Sequence, residues 1–197
     1  MFRAARLWGW RAPILVALAA VVLARPVSAA EWPIELEVQL DPASRELLVE
    51  AALRPQQRDF RFALHASLGI DSAMVDGQAL RVEALGRRGE VRNWRIRLPE
   101  QGVLRLRYGG VLPALDAGLD HRDVLQGMPP MASAAGSYLP AGGAWYPRPA
   151  EVFGYRIDVR VPAGQRVVVP GRLLAEQVPE GEGGHYRARF EFSHVTD

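Results

Sequence analysis

Neither cysteine nor lysine occurs in this sequence. The first absence excludes disulfides, thiol nucleophiles, thiolate zinc sites and lipid attachment through a cysteine behind a signal, so core burial alone must hold the fold. The second removes Schiff-base chemistry. Every cation is an arginine, and together with the abundance of alanine this reads as GC-rich coding rather than as chemistry. Histidine is scarce as well: His65, His121, His185 and His194, none of them in an H-E-x-x-H zinc motif. No glycine-rich nucleotide loop is present, and the uncharged apolar run Ala12 to Ala24 is too short to span a bilayer comfortably as a helix.

That short stretch has its own meaning. Arg3, Arg6 and Arg11 precede it, Arg25-Pro26 end it, and Val27-Ser28-Ala29 offers small residues where a signal peptidase cuts. Residues 1–29 are therefore expected to be a secretory signal peptide, with cleavage after Ala29 and Ala30 as the next choice, and 30–197 to be one exported domain, periplasmic or extracellular. An uncleaved anchor is the alternative and the one expected route to a membrane. With Arg3, Arg6, Arg11 and Arg25 gone, the formal charge falls from +2 to slightly negative. The high pI of the whole chain then says nothing about nucleic acid, and no basic cluster remains to bind phosphate.

The mature part alternates with the period of half-buried strands. Ile34 to Leu40 keeps the pattern without a fault, Asp41-Pro42 turns the chain, and Arg45 to Leu53 resumes it. Phe60 to His65 alternates again. Asp76-Gly77, a strong hairpin signal, separates the stretch ending at Val75 from an expected return strand over Val82 to Leu85. A turn at Arg87 to Glu90 leads into Val91 to Leu98, and Leu104 to Tyr108 follows, with the interleaved arginines on a wet face. Later strands are expected at Tyr155 to Pro162, Arg166 to Val169, Leu173 to Val178 and Tyr186 to Phe192, the last two joined by a hairpin loop over Gly181 to Gly184. No strong helix appears. The expected fold is all-β, a saddle-like antiparallel β-sandwich with one long irregular loop over about 111–150.

Chemistry-bearing residues are few. Asp116, Asp120, His121 and Asp123 are the one cluster of metal-ligand type, but their spacing matches no calcium loop, and a solvated loop face is the expected reading. His121-Arg122-Asp123 is shared with kinase catalytic loops, yet Met128 stands where that motif needs asparagine. His65 is expected to be a satisfied strand histidine, and His185 and His194 to be solvated. The aromatic string from Ser137 to Pro147 stands out: Tyr138, Leu139, Trp145 and Tyr146 must dock on the sheet or face a partner, and they are the candidate substrate-binding or interface residues. No catalytic residue and no metal ligand is assigned.

Several elements in order carry a family resemblance. They are Asp41-Pro42 after a first strand, Leu106-Arg107-Tyr108-Gly109-Gly110, Tyr138-Leu139-Pro140, Trp145-Tyr146-Pro147, Ile157 to Gly164, and Val169-Pro170-Gly171-Arg172-Leu173. In this order the chain resembles the N-terminal domain of the aminopeptidase N family of zinc metallopeptidases, the gluzincins, over nearly all of its mature length. The resemblance implies a saddle-shaped, non-catalytic β domain that packs on a catalytic domain and shapes its peptide cleft. Zinc is implied only in that missing domain, since H-E-x-x-H and Gly-x-Met-Glu-Asn have no match here. The parent would be a zinc-dependent metallopeptidase, and the partner of this chain its own catalytic domain. Classical members present a glutamine or glutamate to the substrate's amino end, but Ser137 to Pro147 holds no acid or amide, which speaks against aminopeptidase specificity. The alternative is a free-standing extracytoplasmic β-sandwich that binds a protein or peptide.

Overall fold

The computed structural model describes residues 32–115, 118, 127–181 and 183–193. The expected signal peptide, Asp116, Asp120, His121, Asp123 and His194 lie outside the described residues. Among the described residues thirteen strands form: β1 (Ile34–Asp41), β2 (Glu46–Leu53), β3 (Asp59–His65), β4 (Leu68–Val75), β5 (Gln78–Ala79), β6 (Val82–Arg88) and β7 (Val91–Arg97) come first. β8 (Leu104–Val111), β9 (Met131–Ser133), β10 (Gly136–Tyr138), β11 (Tyr155–Pro162), β12 (Arg172–Gln177) and β13 (His185–Phe192) follow. Among the described residues the only helical piece is a 3-10 turn over Ala141–Gly143.

Local chemistry explains the well-formed turns. The Asp41 carboxylate accepts from the Ala43 amide at 3.0 Å and from the Ser44 hydroxyl at 2.9 Å, closing the β1–β2 hairpin, and Arg45 completes it with φ 63°. Asp76 (φ 48°) and Gly77 (φ 81°) are both left-handed, as a type I′ hairpin turn requires. That turn joins β4 to β5, two residues long. The expected return strand Val82 to Leu85 is thus not the partner of β4. Leu80 and Val82 pack against the core instead, and β6 pairs with β7 in a second sheet.

An eight-stranded sheet in the order β12-β13-β11-β1-β2-β8-β4-β5 carries the fold, and a three-stranded sheet β3-β7-β6 contributes to the same core. Alternation places Leu47, Val49, Ala51 and Leu53 of β2 inward beside Leu104, Leu106 and Tyr108 of β8, while Phe60, Phe62 and Leu64 of β3 enter from the second sheet. The sandwich expectation holds, with three local corrections. β1 and β11 pair in parallel, Leu36 opposite Ile157 and Val38 opposite Val159, so the large sheet is mixed. The stretch Arg166 to Val169 forms no strand, because both edges of β11 are already taken by β1 and β13. Within the expected long loop the chain forms β9, β10 and the 3-10 turn, elements too short for a period to register.

Close backbone approach accounts for the Gly109-Gly110 pair at the end of β8. A Cβ on Gly109 would lie 2.5 Å from the Leu47 carbonyl oxygen, and one on Gly110 would lie 2.1 Å from that of Ser67. Both distances are far inside van der Waals contact, so β2, β8 and β4 pair here only around residues without side chains.

Candidate functional site

Over β1 and β11 the inner face of the large sheet is roofed by connecting segments. Ile34, Leu36, Val38 and Leu40 of β1 and Ile157, Val159 and Val161 of β11 form the floor. The segments 137–148 and 165–170 form the roof, and between them runs a groove of about 610 Å³. Its origin is visible in the sequence: two faultless alternating runs, paired in parallel, put every second apolar residue on one face.

Tyr138, Leu139, Trp145 and Tyr146 all line this groove, so the structure brings the four candidates together. They do different work. Trp145 is only 9% exposed and belongs to the core, Leu139 and Tyr146 are half-buried against it, and Tyr138 is 50% exposed at the rim. The roof is pinned where the chain reverses. Ala144 sits in the left-handed region and its carbonyl accepts from the His65 amide at 2.7 Å, while the Gly143 amide donates to the Pro140 carbonyl at 2.9 Å. Trp145 meets Tyr146 edge-on with ring centres 4.8 Å apart, and Tyr146 meets Phe153 edge-on at 6.2 Å. The Arg148 guanidinium lies 5.8 Å over the Phe153 ring and donates to the Glu151 carbonyl at 2.8 Å.

Tyr146, Arg148 and Tyr155 line the groove. Burial raises the Tyr146 phenol, against a lowering by the Arg148 charge, and burial also raises Tyr155 and pushes Tyr108 well up. These hydroxyls therefore keep their protons at neutral pH. Tyr155 spends its proton on the Pro170 carbonyl at 2.5 Å, tying the strap 165–170 to β11. The Tyr108 hydroxyl and the Trp145 indole N–H are buried without a hydrogen-bond partner. The groove lining contains Arg148 and Arg166 and no carboxylate.

Sequence reasoning stopped at Pro147 and missed Arg148, Phe153 and Arg166. The signal was present for the floor, whose alternation was plain, but that it would meet the aromatic string depends on the parallel β1–β11 pairing. His65 is 3% exposed, with its Nδ1 2.8 Å from the Ser67 hydroxyl. Its Nε2 stands 3.9 Å from the Glu90 carboxylate without a hydrogen bond, so the expected satisfied histidine is satisfied on one nitrogen only. His185 is exposed and 3.1 Å from the Arg160 guanidinium. Among the described residues no three His, Asp or Glu side chains come together as a metal site.

No protein-family model and no curated protein sequence matches the chain. Solved structures do. The M1 zinc metallopeptidase of Deinococcus radiodurans, crystallised with a Tyr-Ser-Ala substrate, superposes with a TM-score of 0.56 at 20% identity, over 80% of this chain and 38% of that one. A two-domain M1 zinc metallopeptidase bound to L-tryptophan gives 0.58 at 20% identity over 81% and 38%. An aminopeptidase N family protein from Idiomarina loihiensis gives 0.51 at 10% identity over 83% and 30%. At such identities the likeness is one of fold: this β architecture occurs within M1 metallopeptidases, as the order of sequence elements led one to expect. The chain spans between 30% and 38% of the length of these proteins.

Proposed function

We propose that this chain is the non-catalytic N-terminal domain of an exported aminopeptidase N-like zinc metallopeptidase, and that it packs on a catalytic domain and shapes its peptide cleft. The observation that supports this reading most is the fold likeness over four-fifths of the chain to proteins more than twice its length. A domain of this kind acts by shape, which suits a sequence without H-E-x-x-H. Zinc would belong to the catalytic domain. Tyr138 supplies the contact: it is half-exposed at the groove rim while Trp145 anchors the same segment in the core. A rigid base with an amphipathic aromatic at its edge is the usual build of an interface anchor.

The test begins with the coding frame beyond Asp197. An in-frame H-E-x-x-H with a downstream glutamate supports the reading, and an immediate stop codon overturns it in favour of a free-standing β-sandwich that binds a protein or peptide. In the longer protein, Tyr138→Asp should weaken domain association or peptide turnover and leave the melting of the β domain unchanged. Unaltered turnover and association would remove Tyr138 from the interface.

A further inference from the structure

The groove has a use that does not depend on a catalytic domain. We infer that it binds an elongated monoanionic amphiphile of the fatty-acid type, with the acyl chain along the β1–β11 floor and the carboxylate at the Arg148 end. This goes beyond the proposed function and stands or falls separately from it.

The size fits: about 610 Å³ lies within the roughly 300–1,000 Å³ typical of small-molecule sites. So does the lining, which is aliphatic along the floor, with Val167 and Val169 across it on the strap. The groove follows β11. Phe153 and Tyr155 mark one end, and the other lies at Val161, opposite Tyr186 in the ladder. Over the eight residues of β11 a strand extends roughly 25 Å, long enough for an extended acyl chain rather than a compact ring system.

Charge decides the head group. Arg148 and Arg166 are the charged residues of the lining, with no carboxylate to neutralise them inside it. Arg166 is the more heavily engaged of the two: its guanidinium donates to the Ala163 and Gln165 carbonyls at 3.0 and 2.8 Å and lies 4.9 Å over the Tyr186 ring, whereas Arg148 gives one bond, to the Glu151 carbonyl at 2.8 Å, and lies 5.8 Å over the Phe153 ring. At the opposite end the Arg148 charge acts on the Tyr146 phenol, a protonated donor. A cation and a phenol at one end of an apolar trough form a donor pair for an oxyanion. A cationic amphiphile finds no carboxylate in the lining to pair with, and it meets the Arg148 charge instead.

The experiment is calorimetric titration of the full chain, stripped of amphiphiles on a hydrophobic resin, with octanoate, decanoate and dodecanoate below their micelle concentrations. Each added methylene should tighten Kd roughly fourfold. Dodecyltrimethylammonium should not saturate the site. Arg148→Ala should weaken dodecanoate roughly tenfold or more and leave dodecanol unchanged. Ala141→Trp, at an exposed roof position on the groove, should block both ligands without lowering the melting temperature. Absence of saturable dodecanoate binding, affinity independent of chain length, or dodecanoate binding untouched by both substitutions overturns the inference.

Discussion

Replacing Trp145 by alanine separates a structural anchor from an interface residue. The indole is 9% exposed, packs edge-on against Tyr146 at 4.8 Å, and joins the continuous core. Burying an aromatic of this size removes about 150–250 Å² from water, worth about 4–6 kcal/mol at 25 cal/mol per Å². The edge-on pair adds about 0.5–1.5 kcal/mol. Two features pull the measured loss down. Its N–H has no partner, so no hydrogen bond is forfeited. The space it would leave also opens on the groove, so water can enter and the cavity term shrinks. The expected cost is therefore at the lower end of the usual aromatic-to-alanine range, about 3 kcal/mol, or a fall in melting temperature of roughly 6–12 °C for a domain of this size. Urea unfolding followed by far-ultraviolet circular dichroism should show a lower midpoint at unchanged slope. A shift under about 1 kcal/mol would mean that the ring is not core and that the roof is not pinned as described. Tyr138→Ala, at the exposed rim, serves as the control and should stay within about 0.5 kcal/mol of the parent.

Three further outcomes follow from the same physics. Burial lowers His65 below its ordinary 6.5, the Arg87 charge pulls in the same direction, and the Glu90 carboxylate opposes them. The folded state thus prefers the neutral ring while the unfolded chain takes the proton first, so stability is whole above pH 6.5 and declines as pH falls from there toward the lowered folded value. Urea midpoints at pH 7.5 and 5.5 should diverge less in His65→Gln than in the parent, and an equal spread would refute the assignment. Gly110→Ala should cost about 1–3 kcal/mol or more, because the new Cβ would collide with the Ser67 carbonyl oxygen and prise β4 from β8; a neutral substitution would refute that pairing. N-terminal sequencing of the protein recovered outside the cytoplasm of its host should start at Ala30 or Glu31, and a start at Met1 would refute the signal peptide.

The strands were legible in the sequence because burial on a sheet is local and periodic. Ile34 to Leu40, Phe60 to His65 and Tyr155 to Pro162 each announce a half-buried strand without reference to anything else, and Asp41-Pro42 and Asp76-Gly77 announce their turns through short-range hydrogen bonding and left-handed backbone. That the aromatic string needs somewhere to pack was legible too, since large rings between glycines and prolines cannot all stay in water. Which strand pairs with which is not a local property. Alternation is equally satisfied by parallel and antiparallel neighbours, so the β1–β11 pairing, and with it the groove floor, appears only when residues more than a hundred positions apart meet. The same holds for Val82, whose alternation suited a hairpin with β4 until core burial drew it into the second sheet. Trp145 and Tyr138 looked alike in sequence, both aromatic and both beside turn residues. Only the tertiary packing, by burying one and leaving the other half-exposed, made the first an anchor and the second a surface.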